Sequence, residues 1–254
     1  MSNTVLLEKR ENIGIVKFNR PKSLNAVTDE LLLDFVAIME VVRKDPEITV
    51  VILTGEGRAF CAGADTKEQV VSRTLEGYRE HSKWMQNVTR AIVGLGKPIL
   101  AAVKGYAVGE GMEFSLNCDL RIVAEGTKVG FPESRVGATV TNAGTYYLPR
   151  VVGLGRAKEM MLTGELIDAQ EAYRIGYANK VVPLDKLDEE AFALAKKIAS
   201  NYTLEVQLQK EMVDAALDNS LEKTLAFETY CACTSFAGGA RKEGMTQARD
   251  KNKR

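Results

Sequence analysis

Two glycine-rich loops are the first places in this sequence where chemistry could occur. They span residues 57–65 and 105–111, and each follows an apolar run that predicts a buried strand. Free backbone N–H groups at a strand–glycine–helix junction favour an anion. Two such loops together would suit an oxyanion that develops during a reaction, whereas either loop alone is more typical of a simple turn.

Two glutamates downstream of these loops are candidates for acid–base chemistry. Glu113 lies in the first turn of a helix predicted over residues 112–117, and its apolar neighbours indicate little solvent. Glu133 follows Phe131 and Pro132, so it emerges from a rigid, extended turn. Each also has an ordinary interpretation: Glu113 would stabilise its helix N-terminus, and Glu133 would be an exposed loop carboxylate.

The composition excludes several other kinds of chemistry. The chain has 254 residues with 34 Lys and Arg against 34 Asp and Glu, so a net charge of zero gives no long-range attraction to nucleic acid or anionic membrane. Its single histidine, His81, leaves no room for a metal site with several histidine ligands. The neighbours Glu80 and Lys83 predict that His81 is a solvated surface residue. Acid–base chemistry is therefore assigned to carboxylates.

The cysteines and the hydropathy pattern predict a soluble, cytoplasmic protein. No cysteine pair has the spacing of a zinc or redox site, so all four are expected to be buried, reduced thiols. The first ten residues lack the pattern of a secretory signal, and no apolar run approaches the roughly 20 residues of a membrane helix. The four cysteines are Cys61, Cys118, Cys231 and Cys233.

The elements that must position the candidate residues alternate between strand-like and helix-like segments. Val5–Arg10 and Ile13–Phe18 predict a β-hairpin, and Thr28 is a candidate N-cap for a helix that stops before Pro46. A polar helical stretch is predicted from the first glycine loop to about residue 95. Further strands are predicted over residues 49–54, 99–103, 119–124 and 180–182, and further helices over 169–175, 187–199, 204–217 and 221–236.

The pattern beyond residue 143 is mainly helical, and no linker rich in serine or glycine divides the chain. This favours an α/β core over residues 1–200 and a C-terminal helical region over residues 201–254. The charged residues 242–254 either extend a helix or fray.

Five segments, in order, resemble motifs of the enoyl-CoA hydratase/isomerase (crotonase) family. Residues 60–68, FCAGADTKE, resemble its FxAGADxKE stretch, and residues 104–113, KGYAVGEGME, resemble its NGYAxGGGxE stretch. Residues 19–26, NRPKSLNA, are similar to its NRPxxxNA signature, and the segments CD at 118–119 and FPE at 131–133 follow at the expected distances. Each motif alone is weak, but five in the right order are strong.

This resemblance implies a spiral of ββα units followed by a helical trimerisation region, assembled as a homotrimer or a dimer of trimers. It also implies an acyl-CoA thioester substrate, with no metal or redox cofactor. The backbone N–H groups of Ala64 and Glu110 would hold the thioester oxygen as it becomes an enolate. The residues implied along the CoA and acyl passage are Lys22, Ala26, Ala62, Ala64, Asp65, Thr66, Lys67, Glu110, Thr141 and Asn142.

By the same resemblance, Glu113 and Glu133 correspond to the two glutamates of the hydratases. Dienoyl-CoA isomerases have an aspartate at the position of Thr141. The presence of both glutamates and the absence of this aspartate favour a hydratase over an isomerase. Glu113 would accept a proton from the water that attacks C3, and a protonated Glu133 would deliver a proton to C2. The same pair in reverse would dehydrate a 3-hydroxyacyl thioester.

Two departures from the family motifs bear on the substrate. Glu110 stands where the motif has glycine, and Thr141 and Asn142 fall in a stretch that is PGAGG-like in the family. Both regions are expected near the acyl group, which is compatible with a polar, cyclic or branched acyl chain. The Glu110 side chain either turns into solvent or pairs with a Lys or Arg, or it enters the acyl pocket, which we favour. In the pocket it is expected to be hydrogen-bonded or hydrated.

Three alternatives remain open on the sequence. An enoyl-CoA isomerase and a C–C bond hydrolase would use the same fold. A protein of this fold that binds a partner or RNA without catalysis is an alternative of another class. The zero net charge and the glutamate pair favour an enzyme.

Overall fold

The computed structural model describes residues 3–69 and 74–251, which form two sheets and the helices that cover them. The strands are β1 Val5–Arg10, β2 Ile13–Phe18, β3 Val50–Gly55, β4 Ile99–Val103, β5 Tyr106–Val108, β6 Leu120–Ala124, β7 Lys128–Gly130, β8 Ile167–Asp168 and β9 Lys180–Val182. The helices are α1 Asp29–Lys44, α2 Thr66–Gln69, α3 Leu75–Val93, α4 Glu110–Leu116, α5 Gly144–Val152, α6 Leu154–Thr163, α7 Ala169–Arg174, α8 Leu187–Ala199, α9 Thr203–Ala216, α10 Leu221–Gly238 and α11 Ala240–Lys251.

The larger sheet has six strands in the order β1-β2-β3-β4-β6-β9, and the smaller sheet has the order β5-β7-β8. The hairpin β1-β2 is antiparallel, and every other neighbouring pair in the larger sheet is parallel. The chain passes from β4 directly to β5, so it changes sheet at Lys104 and Gly105 before entering α4. Repetition of this step at β6 and β7 gives the spiral of ββα units that the resemblance implied.

Both faces of the larger sheet are buried, as expected for a mostly parallel sheet. On one face, Phe18 packs against the rings of Phe35, Phe60 and Phe114, with centroids 5.5–5.7 Å apart. On the other face, α8 covers a second apolar cluster. All six residues of β3 are buried, so the strand that leads into the first glycine loop is fixed on both sides.

The sequence predicted this framework closely where hydrophobic periodicity was long enough to read. The hairpin, β4, β9 and α8 have the predicted bounds, and the Thr28 side chain accepts a hydrogen bond from the Leu31 N–H as the N-cap of α1. The short strands β5, β7 and β8 were not predicted, because two or three residues carry no recognisable period. Within the predicted helical stretch that reaches residue 95, residues 70–73 lie outside the described residues, as do 252–254 of the charged tail.

Two predictions about single side chains were wrong. Cys61, Cys118 and Cys231 are buried, but Cys233 is exposed on α10. His81 is only 3% exposed, because it shares the buried face of α3 with Met85, Val88 and Ile92.

The helices of the described residues include none with the length and hydropathy of a membrane-spanning segment.

Candidate active site

The two glycine loops lie side by side and pair like short strands. The Cys61 N–H donates to the Tyr106 carbonyl oxygen at 2.9 Å, and the Val108 N–H donates to the Cys61 carbonyl oxygen at 3.1 Å. A second pairing holds the first loop to the segment before α1, where the Val27 N–H donates to the Gly63 carbonyl oxygen at 2.8 Å. Backbone hydrogen bonds on both sides therefore fix the position of residues 61–65.

Two positions in these loops require glycine. Gly63 and Gly109 have φ values of +88° and +56°, which favour glycine. A Cβ on Gly63 would lie 2.6 Å from the Val108 carbonyl oxygen and 3.7 Å from the Glu110 nitrogen. A Cβ on Gly109 would lie 2.8 Å from Glu133 Oε1. The absence of side chains here lets the first loop, the start of α4 and Glu133 meet.

Asn25 and Arg20 brace the first loop from the side of the hairpin. Asn25 is fully buried; its Oδ1 accepts from the Arg20 N–H at 2.8 Å, and its Nδ2 donates to the Glu56 and Ala59 carbonyl oxygens at 2.9 and 2.8 Å. The Arg20 guanidinium donates to the Ala26 carbonyl oxygen and forms a 2.9 Å ion pair with Asp65. Burial opposes ionisation of Asp65, but the hydrogen bonds from Arg20 and the Lys67 N–H hold its pKa below the usual value.

Ala64 and Glu110 both have backbone N–H groups with no hydrogen-bond acceptor among the described residues. In the first loop, the neighbouring Asp65 N–H is used by the Val27 carbonyl oxygen at 2.9 Å. Glu110 opens α4, where the N–H groups of the first turn have no partner within the helix. The geometry at Gly63 places the Glu110 nitrogen beside the first loop. Two N–H groups without an acceptor on adjacent segments are the kind of donor that an oxyanion hole uses.

A third loop, at residues 142–144, holds the Glu113 carboxyl group by hydrogen bonds. Its side chain is fully buried, and Oε1 accepts from the Asn142 N–H at 2.8 Å and the Gly144 N–H at 3.1 Å. A Cβ on Gly144 would lie 2.9 Å from that oxygen, so glycine allows this approach. Burial raises the pKa of Glu113 to about 7, although the N–H donors oppose the shift. Its proton can therefore come and go near neutral pH.

Glu133 lies near Glu113, on the segment that follows β7. It is the first residue of the 3-10 turn Glu133–Arg135 and is half-buried, with Oε1 against Gly109. Burial raises its pKa as well. Thus the structure brings together the two glutamates that are 20 positions apart in the sequence, and the exposed loop position considered for Glu133 is wrong.

Glu110 adds a third carboxyl group. It is 8% exposed, and burial, followed by the charges of Glu113 and Glu133, raises its pKa to about 8. It forms no ion pair with a Lys or Arg among the described residues, so the alternative in which it turns to solvent or to a cation is wrong. Its Oε2 is buried and has no hydrogen-bond partner in the described part of the chain. No described residue makes the expected hydrogen bond to this oxygen, and the raised pKa keeps the group largely neutral.

The burial of His81 near this region was not predicted from the sequence, because its partner Asp29 is 52 positions away. Its Nδ1 lies 2.7 Å from Asp29 Oδ1 at the start of α1. The spacing of His81, Met85, Val88 and Ile92 on α3 could have indicated its burial. The charged residues beside His81 belong to the opposite, solvent-facing side of the helix.

The other residues implied for the CoA and acyl passage lie at different depths. Lys22, Thr66 and Lys67 are exposed, in the 3-10 turn Pro21–Ser23 and at the start of α2. Ala26 is buried and Ala62 is half-buried. Thr141 Oγ1 lies 3.6 Å from Met85 Sδ, and Asn142 is fully buried. The described residues contain no cluster of His, Cys, Asp or Glu suited to a metal ion.

Comparisons with known proteins define first the fold and then the family. The enoyl-CoA hydratase from Bacillus anthracis has a crystal structure that matches with a TM-score of 0.94 at 34% identity, over 98% of this chain and 97% of that chain. The fold is therefore the crotonase fold. The family model for enoyl-CoA hydratase/isomerase matches residues 8–254, so the chain belongs to the enoyl-CoA hydratase/isomerase family, as the motifs predicted.

Two relatives show the same likeness in sequence. The chain is 38% identical over 252 residues to the short-chain-enoyl-CoA hydratase of Clostridium acetobutylicum, covering 99% of this chain and 96% of that protein. It is 37% identical over 250 residues to the crotonyl-CoA hydratase of Syntrophomonas wolfei, covering 98% of this chain and 96% of that protein. The similarity therefore extends over nearly the full length of each protein.

Glu110→Gln is expected to make the stability of the protein less dependent on pH. The folded protein keeps a proton on Glu110 up to about pH 8, whereas the unfolded chain loses it near the ordinary value of 4.5. The free energy of unfolding contributed by this group therefore falls as the pH rises through this window, by up to about 1.4 kcal/mol per pH unit. Relative to wild type, the variant should gain stability steadily from pH 5 to pH 8.

Urea unfolding at pH 5, 6, 7 and 8 measures this difference. Glu125→Gln, which removes an exposed carboxylate, is the matched control and should run parallel to wild type. A difference between Glu110→Gln and wild type that stays constant across these pH values would show that Glu110 titrates normally.

Proposed function

We propose that this protein catalyses the addition of water across the C2–C3 double bond of an enoyl-CoA thioester, or the reverse dehydration. The observation that carries this proposal is the convergence of Glu113 and Glu133 on the space beside the free N–H groups of Ala64 and Glu110. The names of the relatives, short-chain-enoyl-CoA hydratase and crotonyl-CoA hydratase, support it.

The two N–H groups bind the thioester oxygen and stabilise the charge that develops there. Attack of water at C3 pushes electron density through C2 and C1 onto this oxygen, which gives an enolate. Donors that are fixed before the reaction stabilise such charge by roughly 3–4 kcal/mol each. This fixation is supplied by backbone hydrogen bonds, which join Cys61 to Tyr106 and Val108 in the second loop and join the residues on either side of Ala64 to Val27.

Glu113 and Glu133 carry out the two proton transfers of the addition. Glu113 acts as the base, since its two N–H donors favour the ionised form and Oε2 remains available to the attacking water. Glu133 acts as the acid, since burial favours its protonated form. Water supplies the hydroxyl group at C3 and the proton that Glu113 takes, while Glu133 gives a proton to C2. The addition is redox-neutral and moves only the elements of water, so it requires no cofactor beyond the CoA carrier.

The CoA moiety lies, in this proposal, along the exposed side of the first loop. Lys22, Thr66 and Lys67 are exposed there, and Lys22 and Lys67 would meet the phosphates. Asp65 contributes to CoA binding only by holding the loop in place, because its carboxylate is already bound by Arg20 and the Lys67 N–H. Ala26 and Ala62 provide small, apolar contacts at the same side.

Glu113→Gln and Glu133→Gln should each lower kcat for crotonyl-CoA hydration by about 10²- to 10⁴-fold. Glutamine keeps the shape and some hydrogen bonds of glutamate but can neither accept nor deliver the proton. Binding of the CoA ester should persist, because it depends on backbone and loop contacts. Steady-state kinetics and calorimetric titration with a CoA ester measure the two effects, with Glu125→Gln as the surface control.

Near-normal hydration by Glu113→Gln would contradict the two-glutamate mechanism and point to a one-glutamate reaction of the isomerase kind. Transfer of the double bond from C3–C4 to C2–C3, monitored in the same preparations, would then identify that activity.

We also propose that the C-terminal helices assemble the protein into a trimer or a dimer of trimers. Several large apolar side chains on α9 and α10 are exposed in the single chain: Val213 is 69% exposed, Leu221 70%, Tyr230 66% and Phe236 70%. An exposed apolar surface of this extent is typical of an interface. A cleft of about 500 Å³ between α9 and α10 continues this surface.

Light scattering on a gel-filtration column should give three or six times the chain mass of 27.9 kDa. The double variant Leu221→Glu with Phe236→Glu should dissociate the assembly, while Leu33→Glu, at an exposed site on α1, should leave it at least trimeric. An active wild-type monomer at micromolar concentration would contradict the proposed assembly.

A further inference from the structure

Glu110 is a buried carboxyl group that the hydration mechanism does not use. Only its backbone N–H takes part in the proposed oxyanion hole, whereas its side chain starts one helical turn before Glu113. Residues three apart lie on the same face of a helix, so the Glu110 and Glu113 side chains leave α4 toward the same space. Glu133 lies against Gly109, the residue before Glu110.

The Glu110 carboxyl group is buried beside other acidic residues. Its Oε2 is buried without a hydrogen-bond partner among the described residues, and the residue as a whole is only 8% exposed. Among the described residues, the neighbouring charges that act on Glu110 are negative: Glu113, Glu133 and Asp29 each disfavour its ionisation. A carboxyl group in this setting is held in its neutral form, which can both donate and accept a hydrogen bond.

A second polar segment closes the region around Glu113. Thr141 contacts Met85 on α3, and Met85 lies one turn from His81, whose ring is paired with Asp29. Next to Thr141, Asn142 is fully buried, and neither Nδ2 nor Oδ1 of its side chain has a partner in the described part of the structure. The loop that holds Glu113 therefore brings unused hydrogen-bonding capacity of its own to the site.

The negative charges around Glu110 and its unused hydrogen-bonding capacity determine which acyl groups suit the site. A purely hydrocarbon chain would leave the buried Oε2 of Glu110 without a partner, which is unfavourable for a buried polar group. An acyl chain with its own carboxylate would add a negative charge to a site that already holds three glutamates. A neutral hydroxyl group satisfies the carboxyl by donating to one oxygen or by accepting its proton.

We propose that the Glu110 side chain is a specificity determinant that hydrogen-bonds a hydroxyl group on the acyl chain of the substrate. This rests on the proposed hydration of enoyl-CoA thioesters. An enoyl-CoA with a hydroxyl group at this position is preferred over an enoyl-CoA of equal size with a methyl group there. The preference arises because the methyl substrate leaves the buried Glu110 carboxyl group without a hydrogen-bond partner.

Two pairs of equal-sized substrates test the preference. The first pair is 4-hydroxy-2-butenoyl-CoA and 2-pentenoyl-CoA, and the second is 5-hydroxy-2-pentenoyl-CoA and 2-hexenoyl-CoA, so that each pair compares OH with CH₃ at one position. In the wild type, kcat/KM for the hydroxylated member should exceed that for its partner by about tenfold or more in at least one pair. Glutaconyl-CoA, with a terminal carboxylate, should be the poorest substrate.

Variants of Glu110 locate the source of the preference. Glu110→Gly and Glu110→Met cannot hydrogen-bond through the side chain, so the OH/CH₃ ratio should fall to about one or below, whereas Glu110→Gln should keep part of it. Circular dichroism and binding of a CoA ester identify the variants that fold, and either the Gly or the Met variant suffices. Glu125→Gln should keep the wild-type ratio.

The outcomes separate this proposal from the proposed function. Equal rates within both pairs in the wild type, or a preference that Glu110→Gly and Glu110→Met leave within twofold of wild type, would overturn the role of Glu110 while hydration stands. Failure of the wild type to hydrate all five of these substrates and crotonyl-CoA would instead overturn the proposed function.

Discussion

The close approach of two backbone loops is the constraint on which the rest of the site depends. At Gly63 no side chain can be added without meeting the Val108 carbonyl oxygen, 2.6 Å from the position of a Cβ. Among the described residues, the N–H groups of Ala64 and Glu110 have no acceptor, whereas the adjacent N–H groups of Asp65 and Gly109 donate to the carbonyl oxygens of Val27 and Gly130. The fold meets this constraint by ending β3 in the first loop and letting the chain cross from β4 to β5 at the second.

The remaining parts of the site follow from holding these loops in place. Asn25 and Arg20 fix the outer side of the first loop with buried hydrogen bonds, and the smaller sheet fixes the second loop through β5 and β7. The start of α4 then places Glu110 beside the first loop and Glu113 against the loop at residues 142–144. Burying three carboxyl groups together is unfavourable for folding above their ordinary pKa, and such local conflicts are characteristic of functional sites.

Much of this arrangement could be predicted from the sequence, but only where the signal was local or repeated. Hydrophobic periodicity predicted the hairpin, β4, β9 and α8, and the motifs predicted the family that the comparisons show. The three-residue strands β5 and β7 carry no period, although they hold the second loop. His81 could not be placed from its neighbours, because Asp29, its partner, is 52 positions away. For Glu110, the resemblance favoured a place in the acyl pocket, but only the structure shows that Oε2 is buried with no hydrogen-bond partner among the described residues.

The most direct measurement of the central claim is the vibrational frequency of the thioester carbonyl in the bound state. Crotonyl-CoA labelled with ¹³C at C1, bound to the Glu113→Gln variant so that hydration is slow, can be followed by isotope-edited infrared spectroscopy. Two N–H donors from Ala64 and Glu110 should shift the C=O stretch to lower wavenumber than in water, and Gly63→Ala in the same background should reverse much of the shift by forcing the loops apart. A carbonyl stretch equal to that in water, with the ester demonstrably bound, would contradict the oxyanion hole formed by the two loops.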